Sequence, residues 1–343
     1  MTQKQTAVVI CPGRGTYNAN ELGYLGRYHS DKSDFVDMVD SVRNEAGQDP
    51  ISVLDKAERF SSSEHGSGEN ASLLIYACAI ADFFSINRDK FEIIGVTGNS
   101  MGWYLSLAAG GALSHENGAR LVNGMGQIMT QHGVGGQVVY PSVDENWVPN
   151  QKARKAIDKA LSKAEDLALS TSIYLGGMQV FAGGDKAIKN LMFELPKDGN
   201  FPLRLSGHSA FHSAQLGHIV PLAKAAFSPE IFGQPNVPLI DGQGNVWQRF
   251  STDTQALYEY TLGRQINGTY DFTRAVQVAA KEFAPDVFIV LGPGGKMGAP
   301  VAQSLIAMDW YGLKNKTDFL AKQKETPLIL SMGREDQRRI VTQ

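Results

Sequence analysis

Residues 95–113 read GVTGNSMGWYLSLAAGGAL and set Ser100 between Gly98 and Gly102, after an apolar stretch and before a run of small and apolar residues. G-x-S-x-G between a strand and a helix is the pattern of a nucleophile elbow. The turn is sharp enough to demand glycine on both sides, and it throws the serine hydroxyl clear of the sheet. The helix that follows aims its N-terminus at a reacting carbonyl, which makes the backbone N–H of Met101 a candidate oxyanion donor. In a chain with 36 glycines the pattern alone carries little weight. The apolar run before it and the helical run after it make Ser100 a candidate nucleophile.

A serine hydroxyl needs a base. The histidines are His29, His65, His115, His132, His208, His212 and His218. An α/β-hydrolase places its histidine late, after the acid. Here no histidine follows His218, so that order fits poorly. The dense cluster is SGHSAFHSAQLGH (206–218), where His208, His212 and His218 are each possible. A second glycine-rich stretch, LGPGGKMG, fails as a phosphate loop, because Val290 stands where the first glycine is required and Met297 replaces the Ser/Thr.

The elements around these residues alternate. TAVVIC (6–11) and FEIIGVTG (91–98) read as strands, and ASLLIYACAIADFF (71–84), MGWYLSLAAGGALS (101–114) and HENGARLVNGMGQIMTQ (115–131) as helices, an order that predicts a parallel α/β sheet. Then GGQVVYPSV, an amphipathic helix over 152–164, two short strands within 172–184, a helix over 186–195 and FPLRLS give βαββαβ, the order of a ferredoxin-like unit. The expected fold is therefore α/β, with a hydrolase-like core formed by 1–131 and 206–343 and an inserted subdomain at 132–205. The charged tail after about 313 reads as peripheral. With 32 basic and 35 acidic residues the net charge is −3, which leaves no electrostatic footprint for nucleic acid or an anionic membrane. Cys11 and Cys78 lie in apolar runs and read as small buried hydrophobes, not as a disulfide or metal set. The opening MTQKQTAVVICPGRG lacks a signal-peptide core and no apolar run reaches about 18 residues, so a cytoplasmic location is expected.

Several stretches together resemble one family. GNSMGWYLSLAAGGALS is similar to the GHSxGEYAALVAAGALS segment of malonyl-CoA:acyl-carrier-protein transacylases and polyketide acyltransferase domains. VVICPGRGTY resembles their FPGQGSQ opening, SAFHSAQLGHIVPLA their AFHSPLMEPAA, VFIVLGPGGKMGAPV their EVGPGKVL, and MQVFAGGDKAI their GQVVIAGDAEAV. The matches keep their order over nearly the whole chain. The resemblance implies a Ser–His dyad of Ser100 and His212. It implies an oxyanion hole from the N–H groups of Met101 and Arg14, and a backbone carbonyl near Gly242 that orients the histidine. It also implies a CoA thioester as substrate, an acyl carrier protein as partner, and no resident cofactor or metal.

Departures from the family pattern fall in the expected acyl pocket. Asn70 stands for a glutamine, Leu175 for an asparagine, and Met125 for the arginine that pairs with a malonyl carboxylate. Asn99 and Trp103 likewise replace a histidine and a glutamate beside the serine. A buried carboxylate without a cation is heavily penalised, so Met125 leads to the expectation of a neutral acyl group. Three other readings compete with transfer: hydrolysis of an acyl carrier protein thioester, a patatin-like Ser–Asp lipid hydrolase with Asp241 of DGQG as base, and a carrier-protein docking partner with a degenerate site.

Overall fold

The computed structural model describes residues 4–164 and 167–343. Among them eleven strands fall into two sheets: β1 (Gln5–Cys11), β2 (Phe91–Gly98), β3 (Gly136–Pro141), β4 (Ser170–Leu175), β5 (Met178–Gly183), β6 (Leu203–Arg204), β7 (Leu239–Ile240), β8 (Val246–Trp247), β9 (Tyr270–Asp271), β10 (Val287–Val290) and β11 (Ile329–Ser331). The larger sheet runs β11-β10-β1-β2-β7-β8, parallel except for its last pair. β1 is its centre. Ala7 through Cys11 are all fully buried, the near-continuous apolar run that a strand covered on both faces requires.

Register decides what meets at the sheet edge. Cys11 lies opposite Gly98, so β1 and β2 end together and the loops that follow them, 12–15 and 99–101, lie side by side. In an open parallel sheet this carboxyl edge is where ligands bind. The helix Gly68–Ser85 is buried almost all round, as its unbroken apolar sequence demands, and it packs against the helix His115–His132. Both begin at serine caps, with Ser67 accepting from the Asn70 N–H and Ser114 from the Asn117 N–H.

The smaller sheet runs β6-β3-β5-β4-β9 and is antiparallel except for the β4–β9 pair. Its connections are strand, helix Gln151–Ser162, two hairpin strands, helix Asp185–Glu194, strand. The first of these helices buries Ala153, Ile157 and Ala160, at i, i+4 and i+7, into a separate core with Val138 and Phe181. β9 comes from beyond this segment and joins the two halves of the chain.

Two expectations are corrected. The helix after Ser100 covers Gly102–Ala109 and not the whole stretch to 114, because Gly111 takes φ +80° and turns the chain. The tail after 313 is not peripheral. β11 extends the main sheet, and Arg338 of the helix Glu335–Thr342 enters a buried ion cluster with Asp82. Cys11 and Cys78 are both free and buried. Among the described residues no helix is long and apolar enough to cross a membrane.

Candidate active site

Ser100 holds φ +57°, left-handed backbone that a serine adopts only when its surroundings force it. The glycines explain the force. A β-carbon at Gly98 would stand 2.4 Å from the Gly102 carbonyl, and one at Gly102 would stand 2.4 Å from the Cys11 carbonyl oxygen. The elbow is thus pressed against the end of β1, and the Asn99 N–H donates to the Cys11 carbonyl at 3.1 Å.

Of the three histidines in the cluster, His212 is the one that meets Ser100. Its Nε2 lies 2.6 Å from Ser100 Oγ and its Nδ1 lies 2.7 Å from the Gln265 carbonyl. A carbonyl only accepts, so Nδ1 carries the proton and the Nε2 lone pair faces the serine hydroxyl. His212 also sits at φ +55°, with its N–H donating to the Ile266 carbonyl at 3.1 Å. Burial lowers its pKa to about 4, against a smaller upward pull from the Gln265 carbonyl, so the ring is neutral at pH 7 and able to take a proton. The other two candidates are engaged elsewhere. His208 Nδ1 donates to Gln137 Oε1 at 2.7 Å, and His218 contacts the carbonyls of Gln215 and His132.

Gly242 is not the orienting residue. Its carbonyl accepts from the Asp271 N–H at 2.7 Å, and it is packed so tightly on Tyr270 that a β-carbon would fall 2.4 Å from the ring. Gln265 does that work, directly after a π-helical turn over Tyr260–Arg264. Its side chain also ties the site together. Oε1 accepts from Tyr104 at 2.7 Å and Nε2 donates to the Ser100 carbonyl at 3.1 Å. Tyr270 contributes from below, with its ring 5.3 Å from the His212 ring and its hydroxyl donating to the Gly98 carbonyl at 2.6 Å. Sequence reasoning missed both residues. A role played by a main-chain carbonyl leaves no residue-type signature, and a buried tyrosine reads as core.

A cavity of about 60 Å³ opens beside Ser100, walled by Met101, Met125, Met129, Phe211 and Arg14 among others. An apolar cavity of about 150 Å³ holds a benzene ring, so this one suits a short acyl group. The N–H groups of Met101 and Arg14 find no acceptor among the described residues, as an oxyanion hole requires. Met125 lines the cavity as expected, whereas Asn70 and Leu175 do not. Asn70 is held by Arg43, whose terminal nitrogen donates to its Oδ1 at 2.6 Å, and by the Glu64 carbonyl. Leu175 ends β4 at the hairpin, where Gly176 bonds to Thr273. Trp103 is fully buried and donates to Thr261, away from the cavity wall. Arg14 also lines the cavity, with its guanidinium by Gly68 and Phe211 of the same wall.

Asp241 is occupied as a turn organiser. Its carboxylate accepts from the N–H groups of Gln243 and Asn245, from Asn245 Nδ2 and from Trp247 Nε1. Ser100 bonds to His212 and not to Asp241, so the Ser–Asp reading is not favoured.

No family model matches the chain. It is 24% identical over 293 residues to the malonyl CoA-acyl carrier protein transacylase of Staphylococcus aureus strain MRSA252, covering 83% of this chain and 88% of that protein. It is 26% identical over 230 residues to the mycoketide-CoA synthase of Mycobacterium tuberculosis strain H37Rv, covering 65% of this chain but 5% of that much longer protein. Among solved structures, the malonyl-CoA:ACP transacylase of Synechocystis sp. PCC 6803 superposes with a TM-score of 0.76 at 14% identity, covering 98% of this chain and 99% of that one. A malonyl-transacylase solved in complex with its type II PKS acyl-carrier protein gives a TM-score of 0.74 at 16% identity, covering 99% of both chains. The likeness seen in separate motifs is therefore a likeness of the whole chain, and the α/β fold is shared.

Proposed function

We propose that this chain, a divergent relative of the malonyl-CoA:acyl-carrier-protein transacylases, moves a short acyl group from a CoA thioester through an acyl-serine to the phosphopantetheine thiol of an acyl carrier protein. The observation that carries this reading is the 2.6 Å contact of Ser100 Oγ with a His212 whose far nitrogen is fixed on the Gln265 carbonyl. His212 takes the serine proton as Oγ attacks the thioester carbonyl. The oxyanion forms against the N–H groups of Met101 and Arg14. The C–S bond then breaks, and His212 returns its proton to the departing thiolate. In the second half the carrier thiol gives its proton to His212 as its sulfur attacks the acyl-serine carbonyl; the C–O bond breaks, and His212 returns the proton to Ser100 Oγ. The CoA thioester is a substrate, and these steps call for no resident cofactor or metal. We read residues 1–131 and 206–343 as a hydrolase-like core and 132–205 as an inserted ferredoxin-like unit, a division supported by the strand order β6-β3-β5-β4 and its two crossing helices.

The test is intact-mass spectrometry after brief incubation with short acyl-CoAs. The expected result is one acyl adduct on Ser100 that is discharged by holo acyl carrier protein far faster than by buffer. An adduct discharged equally fast by water would make the chain a hydrolase, and no adduct with any thioester would end the acyl-enzyme reading.

A further inference from the structure

Arg14 follows the end of β1 and lines the cavity beside Ser100, and its guanidinium lies by Gly68 and Phe211, which line the same cavity. Its Nε is buried and finds no acceptor among the described residues. One terminal nitrogen reaches the Gly66 carbonyl at 3.4 Å, a long bond, and the guanidinium carbon lies 5.5 Å from the centre of the Phe211 ring. Burial alone pulls its pKa down, to about 10, and among the described residues no carboxylate holds it up. The helix Gly68–Ser85 adds to the same charge. A β-carbon at Gly68 would stand 3.5 Å from an Arg14 terminal nitrogen, so the guanidinium lies against the positive end of an 18-residue helix. Ser67 satisfies the Asn70 N–H, while those of Gly68 and Glu69 find no acceptor among the described residues.

Arg14 is half-buried, and a cation drawn partly out of water without a counter-charge is disfavoured, the more so at a helix N-terminus. The arrangement becomes favourable once an anion occupies the cavity. We infer that the Arg14 guanidinium is the acyl-recognition group of this pocket and that the acyl group it selects ends in a carboxylate. The inference rests on the transfer reading above and sharpens its substrate class. It replaces the neutral acyl group expected from Met125 alone, because the charge missing from the helix His115–His132 is delivered from the β1 loop.

A phosphate of CoA or of the carrier's phosphopantetheine is the other oxyanion a thioester substrate brings. Reach separates the two. The Arg14 N–H is the expected partner of the thioester oxyanion, and the guanidinium is one arginine side chain away. The carboxylate of a short diacid thioester lies within that span, whereas the phosphates lie a whole pantetheine chain beyond the sulfur.

The experiment compares wild type with Arg14→Gln and Arg14→Lys, using malonyl-CoA, acetyl-CoA and the N-acetylcysteamine thioesters of both acids. Rates of Ser100 acylation are read by intact mass. For wild type we expect malonyl to be preferred over acetyl. In Arg14→Gln the malonyl-to-acetyl ratio of kcat/KM falls by about tenfold to a hundredfold, the value of a hydrogen-bonded charge. Arg14→Lys restores part of the ratio. The fall persists with the cysteamine thioesters, which carry no phosphate. A ratio unchanged by Arg14→Gln, a wild type that prefers acetyl, or a fall seen only with the CoA esters would each overturn the inference. Acylation of wild type by acetyl-CoA but not malonyl-CoA would sink this inference and leave the acyl-enzyme reading standing, whereas a wild type that no thioester acylates would sink both.

Discussion

Arg338 and Arg14 are both drawn out of water, and the chain treats them in opposite ways. Arg338 meets Asp82 at 2.7 Å, donates to the Tyr24 hydroxyl and the Met332 carbonyl, and lies over the rings of Tyr24 and Tyr28. Asp82 in turn accepts from Tyr24 and the Gly292 N–H and meets His29 Nε2 at 2.8 Å. Burial pulls the Arg338 pKa down, but Asp82 and Tyr24 more than offset it and the net shift is upward. Arg14 has a long bond to one carbonyl, a bare Nε and a lowered pKa. The first cluster joins the N-terminal loops, the helix Gly68–Ser85 and the C-terminal helix, and it is complete without a ligand. Its loose end is His29 Nδ1, which has no partner among the described residues. The second lies beside the dyad and is incomplete. A cluster that closes on itself holds the fold, and one that leaves a charge open holds something the fold does not contain.

The largest expected effect separates the two regions by what each supports. His212→Ala lowers the rate of acyl transfer by at least about a thousandfold, because base and nucleophile act as a unit. It also costs stability, since a buried ring is replaced by a cavity, so the transfer rate is read per folded molecule. The same histidine sets the pH limb of the wild-type enzyme. It acts as base only when unprotonated, and burial holds its pKa at about 4. Acylation kcat/KM is therefore flat from neutrality down to about pH 5 and falls below that. A limb near pH 6.5, the value of a solvated histidine, would mean that the ring is not buried as described.

Asp82→Asn reverses the pattern. It strands Arg338 as an unpaired buried cation, which costs about 3–5 kcal/mol of stability. Urea unfolding reads the loss, while acyl transfer per folded molecule is kept. Asp82→Asn combined with Arg338→Met should lose less than Asp82→Asn alone, because the second change removes the stranded charge. Equal losses would show that Asp82 acts through Tyr24 and Gly292 and not through the arginine.

These two regions were unequally legible in the sequence. The elbow could be read because close approach of Gly98 and Gly102 to neighbouring backbone forbids any other residue, and such a constraint survives as a pattern. His212 could be chosen from three histidines only through the resemblance. Gly242 was expected where Gln265 acts, because any residue can offer a carbonyl and its position depends on a π-helical turn that composition does not mark. The resemblance puts Asn70 and Leu175 at pocket positions, but Arg43 and the hairpin glycines set their surroundings. The resemblance marks Arg14 as a backbone donor and gives its side chain no role. The Asp82–Arg338 pair was hidden by distance in sequence, in a tail whose charge suggested exposure.

Gln265 tests how firmly the incomplete region is preorganised. Gln265→Met keeps the carbonyl that orients His212 but removes the links to Tyr104 and to the Ser100 carbonyl. Loosening a reacting pair without removing it costs about tenfold to a hundredfold. The loss should fall on kcat with KM little changed, since the side chain holds the elbow rather than the acyl group. A rise in KM alone would instead make Gln265 a wall of the pocket.

The smallest expected effect bears most directly on the comparison. Arg14→Gln removes a half-buried cation that has no counter-charge among the described residues, so no ion pair is lost. The unliganded protein should be as stable as wild type or more stable, by up to about 1 kcal/mol, whereas Arg338→Gln leaves Asp82 exposed to its own desolvation and destabilises by several times that. Thermal or urea unfolding of the two variants under one set of conditions makes the measurement. If Arg14→Gln destabilised the protein as much as Arg338→Gln, Arg14 would have to be satisfied within the fold. The contrast between a closed cluster and an open one would then be lost, and with it the reason to look for an anion in the cavity.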